Sequence, residues 1–188
     1  KRSSLVVGGN VWLKMTGVTK RTIVDLSGLG LDKIEETGDE FRIGCICTLR
    51  QLEVHQGLNQ YFGGIFKECT RHIVGVQMRN CATVGGSIFA RFGFSDILTC
   101  MMALDTYVEL YHGGIVPLAE FAKRPVRRDD RDILVRIIIK KDGRKAALPR
   151  AVVTALTAEI TIFMKEQPDD FFSYTDLLDF PGYRSRLK

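Results

Sequence analysis

Long hydrophobic runs are missing from this 188-residue chain; no stretch approaches the ~20 apolar residues that a membrane-spanning helix needs. No basic segment followed by an apolar one opens it either, which argues against a secretory leader. The expected setting is therefore the cytoplasm, with no membrane contact. Histidine is scarce, at three residues, and tryptophan occurs once. The five cysteines, Cys45, Cys47, Cys69, Cys81 and Cys100, are odd in number and never fall in C-x-x-C spacing. That pattern speaks against a disulfide framework or a zinc knuckle, fits reduced thiols, and leads us to expect no metal site. The chain also lacks G-x-G-x-x-G opening a βαβ unit and the P-loop G-x-x-x-x-G-K, so the common nucleotide-binding folds are not indicated.

What remains is an ordinary globular composition, 45% hydrophobic and 26% charged, with a net charge of +5. The charge is local. Residues 121–145 hold ten Lys or Arg and four Asp, a net +6, which leaves −1 for the rest of the chain. Neither stacking aromatics nor a recognition helix accompanies Arg124, Arg127, Arg128 and Arg131, so this patch reads as a solvated loop or a protein-docking surface, and nucleic acid is not expected as a partner.

Ser4 to Gly9 reads as a strand running into a turn, and Thr22 to Leu26 as another short strand. Lys33–Glu36 and Phe41–Gly44 alternate on either side of Thr37-Gly38-Asp39, a hairpin signal. Thr48, followed by Leu49, Leu52 and Val54, starts a helix, and Leu58, Phe62, Ile65, Phe66, Cys69 and Ile73 recur at helical spacing through a second. Ser95-Asp96 caps a third helix. Thr106–Tyr111, closed by Gly113-Gly114, and Ile133–Ile139 read as strands; residues 146–166 are assigned to a strand, and 168–188 to a closing loop and short helix. This order suggests an α+β domain with mixed sheets.

Two glycine pairs carry the chemistry. In Val6-Val7-Gly8-Gly9-Asn10 and Thr83-Val84-Gly85-Gly86-Ser87, an apolar strand is expected to end in Gly-Gly followed by a small polar residue. Paired glycines allow positive φ and leave N–H groups uncovered, so they can cradle an anion such as a pyrophosphate. One such turn is usually only a turn. Two can converge on a dinucleotide from two sides.

The ordered series Leu5 to Met15, Ile23 to Ser27, Arg42-Ile43-Gly44 with Thr48-Leu49, Gly75 to Ser87, Ser95 to Leu98 and Ala103 to Leu110 resembles the FAD-binding (medium) subunit of molybdenum hydroxylases of the xanthine dehydrogenase and carbon monoxide dehydrogenase type. The resemblance covers residues 5 to about 145. It implies an α+β FAD-binding fold of the vanillyl-alcohol oxidase and para-cresol methylhydroxylase type, with FAD lying between two α+β subdomains. The FAD-binding domain is then 1–145, split into about 1–30 and 31–145, with 146–188 an abbreviated remnant of the family's C-terminal domain.

Carried over to this chain, the resemblance places the pyrophosphate on the loop Val7, Gly8, Gly9, Asn10 and Val11 and on the loop Thr83 to Ser87, with Thr83, Gly85, Gly86 and Ser87 as its contacts there, and counts Leu5, Val6 and Trp12 among the cofactor-binding residues beside the first loop. Both would act mostly through backbone N–H. Asp96 suits a ribose or ribityl hydroxyl, and Ile73 and Leu134 wall the cofactor. No residue is assigned a catalytic role, because the flavin carries the chemistry. The implied partners are a molybdopterin-binding large subunit and a two-iron two-sulfur small subunit, with NAD or another acceptor receiving the electrons; Arg124 to Arg131 would dock a partner or attract an anionic acceptor. Two rival readings stand beside this one: a scaffold subunit that has lost FAD, and a stand-alone flavin oxidase, for which no convincing base is present.

The sequence departs from the family pattern at Ser87, often Asn in relatives, in the loop Phe89–Phe94, and past Lys145. Several tempting residues take plain readings. Cys45 and Cys47, two apart on a strand, read as small buried hydrophobes rather than a redox pair. His72 reads as a helix C-terminal partner, His55 and His112 receive no role, and Trp12 suits core packing as well as the cofactor.

Overall fold

The computed structural model describes residues 4–11, 22–124 and 132–143. Period-two alternation is realised where the sequence shows it. The strands β3 (Ile34–Glu36), β4 (Glu40–Gly44), β5 (Thr106–Leu110), β6 (Gly114–Pro117) and β7 (Leu134–Lys140) form an antiparallel sheet in the order β3-β4-β7-β5-β6. Register places Phe41 opposite Ile139, and Ile43 and Val108 both opposite Ile137. These residues and Leu110 bury one face, each such side chain contributing about 1.5–3 kcal/mol. The other face carries Glu40, Arg42, Glu109, Arg136 and Lys140, with Glu40 paired to Lys140 and Arg42.

Short helices cover the buried face: α1 (Leu49–Val54), α2 (Gln56–Tyr61), α3 (Ile65–Thr70), α4 (Val76–Cys81), α5 (Val84–Phe89), α6 (Asp96–Met102) and α7 (Leu118–Lys123). Leu52, Leu58, Phe62, Phe66, Ile97, Leu98 and Met101 project from them into one core with the sheet. A separate pair, β1 (Ser4–Val7) and β2 (Thr22–Asp25), is parallel, so both strands end at the same edge.

Four sequence expectations are corrected. The second helix is broken in two, because Gly63 and Gly64 adopt φ of 64° and 82° between α2 and α3; the apolar spacing runs straight through a backbone that does not. Thr83 to Gly86 is the cap and first turn of α5, not a strand entering a turn. His55, given no role, caps α2 through Nδ1, which accepts the Leu58 N–H at 3.1 Å. Thr48 starts α1 as expected, in a full capping box with Gln51, and Ser95 caps α6. Cys45 and Cys47 lie in the turn after β4 rather than on it, and both are buried; burial pushes their thiols up to about 11 and about 12. Helices α4 and α7 and strand β6 were not read from the sequence. The expected elements beyond residue 145, and Trp12, fall outside the described residues.

Candidate functional site

The first glycine pair lies at the carboxyl edge of the parallel strands, the edge where open α/β sheets place ligands. Leu5, Val6 and Val7 form the end of β1, Gly8 and Gly9 follow, and Asn10 takes φ of 55°, a left-handed conformation Asn tolerates. Val11, half-buried, closes the described part of the loop. This loop rests directly on the connection between α4 and α5. A Cβ on Gly8 would stand 2.9 Å from Thr83 Oγ1 and 3.5 Å from Ile46 Cδ1, and one on Gly9 would overlap the Cys81 carbonyl oxygen. Gly9 is therefore required by close backbone approach and Gly8 by the Thr83 side chain against it, and the two motifs that the sequence singled out meet in space.

The connection is fixed from beneath. Ala82 O accepts the Leu49 N–H at 2.9 Å, Thr83 bridges to Thr48, and Thr83 Oγ1 accepts the Gly86 N–H at 3.2 Å. Val84 N–H donates to Cys47 O and Gly85 N–H to Cys45 O, both at 2.8 Å, while Ser87 N–H donates to Thr83 O. The amides of residues 84–87 are thus all engaged within the protein. Gly85 has a packing reason of its own, since its Cβ would come within 2.6 Å of Cys45 O. The expectation that this second loop offers mainly free N–H groups does not match these bonds; what it offers is a rigid floor under Gly8 and Gly9, with Gly86 on the exposed side.

Asp96 opens α6, and its neighbour Ser95 ties that helix to the second loop by donating to Ser87 O at 3.0 Å. Leu134 is buried at the start of β7; the adjacent Val135 carbonyl accepts the Cys45 N–H at 3.0 Å, so Leu134 stands next to the turn on which Gly85 rests. Ile73 is half-buried against the core in the connection between α3 and α4. From Ile73 the chain passes through Val74 and Gly75 into α4, whose six residues span about 9 Å and end at Cys81.

A buried ion pair at this helix was missed by the sequence reading. Arg79 of α4 meets Glu53 of α1, Nε to Oε2 at 2.9 Å, and Arg50 joins the same carboxylate at 2.9 Å. Burial alone would raise the Glu53 carboxyl, but hydrogen bonds from Arg50 and Arg79 hold it below the usual range. The partners lie 26 positions apart, and no local pattern announces such a pair. Among the described residues, no group of His, Cys, Asp and Glu is placed to hold a metal ion, and no helix is long and apolar enough to cross a membrane.

Comparison with known proteins gives these features a family. The chain matches the YgfM protein of Escherichia coli (strain K12), an uncharacterized protein, at 27% identity over 156 residues, 78% of this chain and 56% of that one. The chain thus spans little more than half the length of this curated relative. Among solved structures, quinoline 2-oxidoreductase from Pseudomonas putida 86 superposes with a TM-score of 0.66 at 19% identity, covering 74% of this chain and 52% of that one. Carbon monoxide dehydrogenase from Oligotropha carboxidovorans does so at 0.62 and 23%, covering 73% and 51%. These likenesses establish the fold. A family profile described as "Putative bacterial virulence factor" matches residues 120–188, under half of the chain. The profile described as FAD binding domain in molybdopterin dehydrogenase matches residues 1–140, which span the glycine loop, α4, α5 and the whole antiparallel sheet, and to that FAD-binding family the chain belongs.

Proposed function

We propose that the chain is the FAD-binding electron-transfer part of a molybdenum hydroxylase, working beside a molybdopterin-binding large subunit and a two-iron two-sulfur small subunit and delivering electrons to NAD or another acceptor. The observation that carries this reading is the seating of Gly8 and Gly9 on Cys81 and Thr83, at the carboxyl edge of a parallel strand pair. The residues present fit FAD. Gly8 and Gly9, seated on Thr83 and Cys81 where a Cβ would collide, with Asn10 in a left-handed conformation, form a turn whose backbone can be offered to a pyrophosphate.

In this reading the loop Val7 to Val11 holds the pyrophosphate, with Leu5, Val6 and Trp12 beside it on the cofactor, and Thr83, Gly85, Gly86 and Ser87 support it from below. Asp96, fixed to Ser87 through Ser95, takes a hydroxyl of the sugar or ribityl chain. Ile73 and Leu134 exclude water from the ring system. The fold is then of the vanillyl-alcohol oxidase type, its smaller subdomain built on β1 and β2 and its larger one on the antiparallel sheet. Bound FAD supplies the exchange between one-electron and two-electron transfer, and the protein supplies position and electrostatics.

A visible absorption spectrum of the purified chain, followed by denaturation and chromatography of what is released, tests the proposal. Equimolar FAD is the expected result. A colourless chain that takes up no FAD, alone or with its partner subunits, would overturn it in favour of a scaffold.

A further inference from the structure

Val74 has φ of 46°, a conformation that a β-branched residue adopts only at a cost, and it is 75% exposed, so packing does not hold it there. Arg79 does. Its guanidinium, on a residue only 5% exposed, forks onto Glu53, Nε to Oε2 at 2.9 Å and Nη2 to Oε1 at 3.4 Å. The remaining Nη1 donates to the Ile73 carbonyl at 3.0 Å and reaches that of Val74 at 3.5 Å. One cation therefore fastens three segments: α1 through Glu53, α4 through its own backbone, and the connection at residues 73–74. The α4 end of this arrangement begins at Gly75, which offers no side-chain cap; backbone bonds from Ile73 N–H to Thr70 O and from Arg79 N–H to Gly75 O flank the turn, and the Arg79 guanidinium is the side chain that bonds its carbonyls. If the role were core filling alone, an apolar residue of similar volume would serve as well or better. Such a residue would leave the two carbonyls untethered.

We propose that Arg79, oriented by Glu53, is a positioning residue for the flavin: it sets the Ile73–Val74 turn and, through that turn, the apolar wall beside the cofactor. The inference rests on the placement of Ile73 against FAD in the reading above. Lysine in place of Arg79 keeps the charge but cannot fork, so it is the informative substitution.

The test uses the full chain as wild type, Arg79→Lys and Val108→Ala, the last a sheet-core change remote from the turn. Amide hydrogen exchange at Ile73 and at residue 79, whose N–H groups donate to Thr70 O at 2.9 Å and Gly75 O at 3.1 Å on either side of the turn, is followed without FAD, and visible circular dichroism and affinity are measured with FAD bound. Hydrogen bonds from a charged donor are strong enough that Arg79→Lys should speed exchange at the turn and weaken FAD about tenfold, with an altered flavin dichroism. Val108→Ala should lower the melting temperature and change neither. Arg79→Lys that melts lower yet keeps native exchange, dichroism and affinity overturns the proposal. Faster exchange with native dichroism and affinity overturns instead the placement of Ile73 at the cofactor, so the two failures are told apart.

Discussion

Gly9 and Gly85 occupy equivalent places in two look-alike motifs, yet they serve different ends. Gly9 lets the first glycine loop lie on the Cys81 carbonyl, whereas Gly85 lets α5 lie on the Cys45 backbone inside the fold. Gly85→Ala should therefore cost about 1–3 kcal/mol of stability, as overpacking does, with FAD uptake falling only as the folded fraction falls. Gly9→Ala should do the reverse, leaving the melting temperature of the antiparallel domain near wild type while FAD affinity drops. Thermal melts run beside FAD titrations separate the two, and matched losses in both variants would show that the motifs are equivalent after all. The exposed Gly86, whose added Cβ would meet only Thr83 Oγ1 at 3.1 Å, provides a mild comparison.

Among the helices and strands, reading succeeded where one local signal ruled. The hairpin at 33–44, β5, β7 and the capped starts of α1 and α6 follow from alternation and from Thr48 and Ser95. It failed where a backbone conformation overrode the pattern. Leu58 to Ile73 keeps helical spacing across Gly63-Gly64, but positive φ at both glycines turns the chain between α2 and α3. Gly64→Ala, forced into the left-handed region at φ of 82°, should cost about 1–2 kcal/mol in a urea titration, and a stabilised variant would mean that a continuous helix is accessible. Val84-Gly85-Gly86 looked like a strand running into a turn because its β-branched and glycine residues favour no helix; the Thr83 cap and the bonds to Cys45 and Cys47 decide otherwise. Both glycine pairs were found from sequence, but their meeting was not, and neither was Glu53 with Arg79. Such long-range pairs depend on how α1, α4 and β1 are stacked.

For the molecule as a whole, acid is the expected weakness. Hydrogen bonds from Lys140 and Arg42 hold Glu40 below its ordinary range, Arg50 and Arg79 do so for Glu53 against its burial, and Asp132 is lowered, also against burial, by the backbone N–H groups of His112, Ile133 and Gly113. Groups lowered in the folded state bind fewer protons there than when unfolded. Their stabilisation is complete above the ordinary carboxylate range and is lost as pH falls through the lower folded values. Urea midpoints should fall between about pH 5 and pH 3, and the fall should be shallower in Glu40→Gln, which has one such group fewer. Identical slopes in the two proteins would remove Glu40 from the account.

The six-residue helix α4 touches the glycine loop at Cys81, and its other end follows the turn at residues 73–75 that carries the proposed cofactor wall. Its length cannot change without breaking its own hydrogen bonds, so in the proposed arrangement it would keep a fixed spacing between the loop and the turn. In the proposed arrangement, bound FAD would be released by the loop at Gly8 and Gly9 lifting away from α4 rather than by a change in the helix.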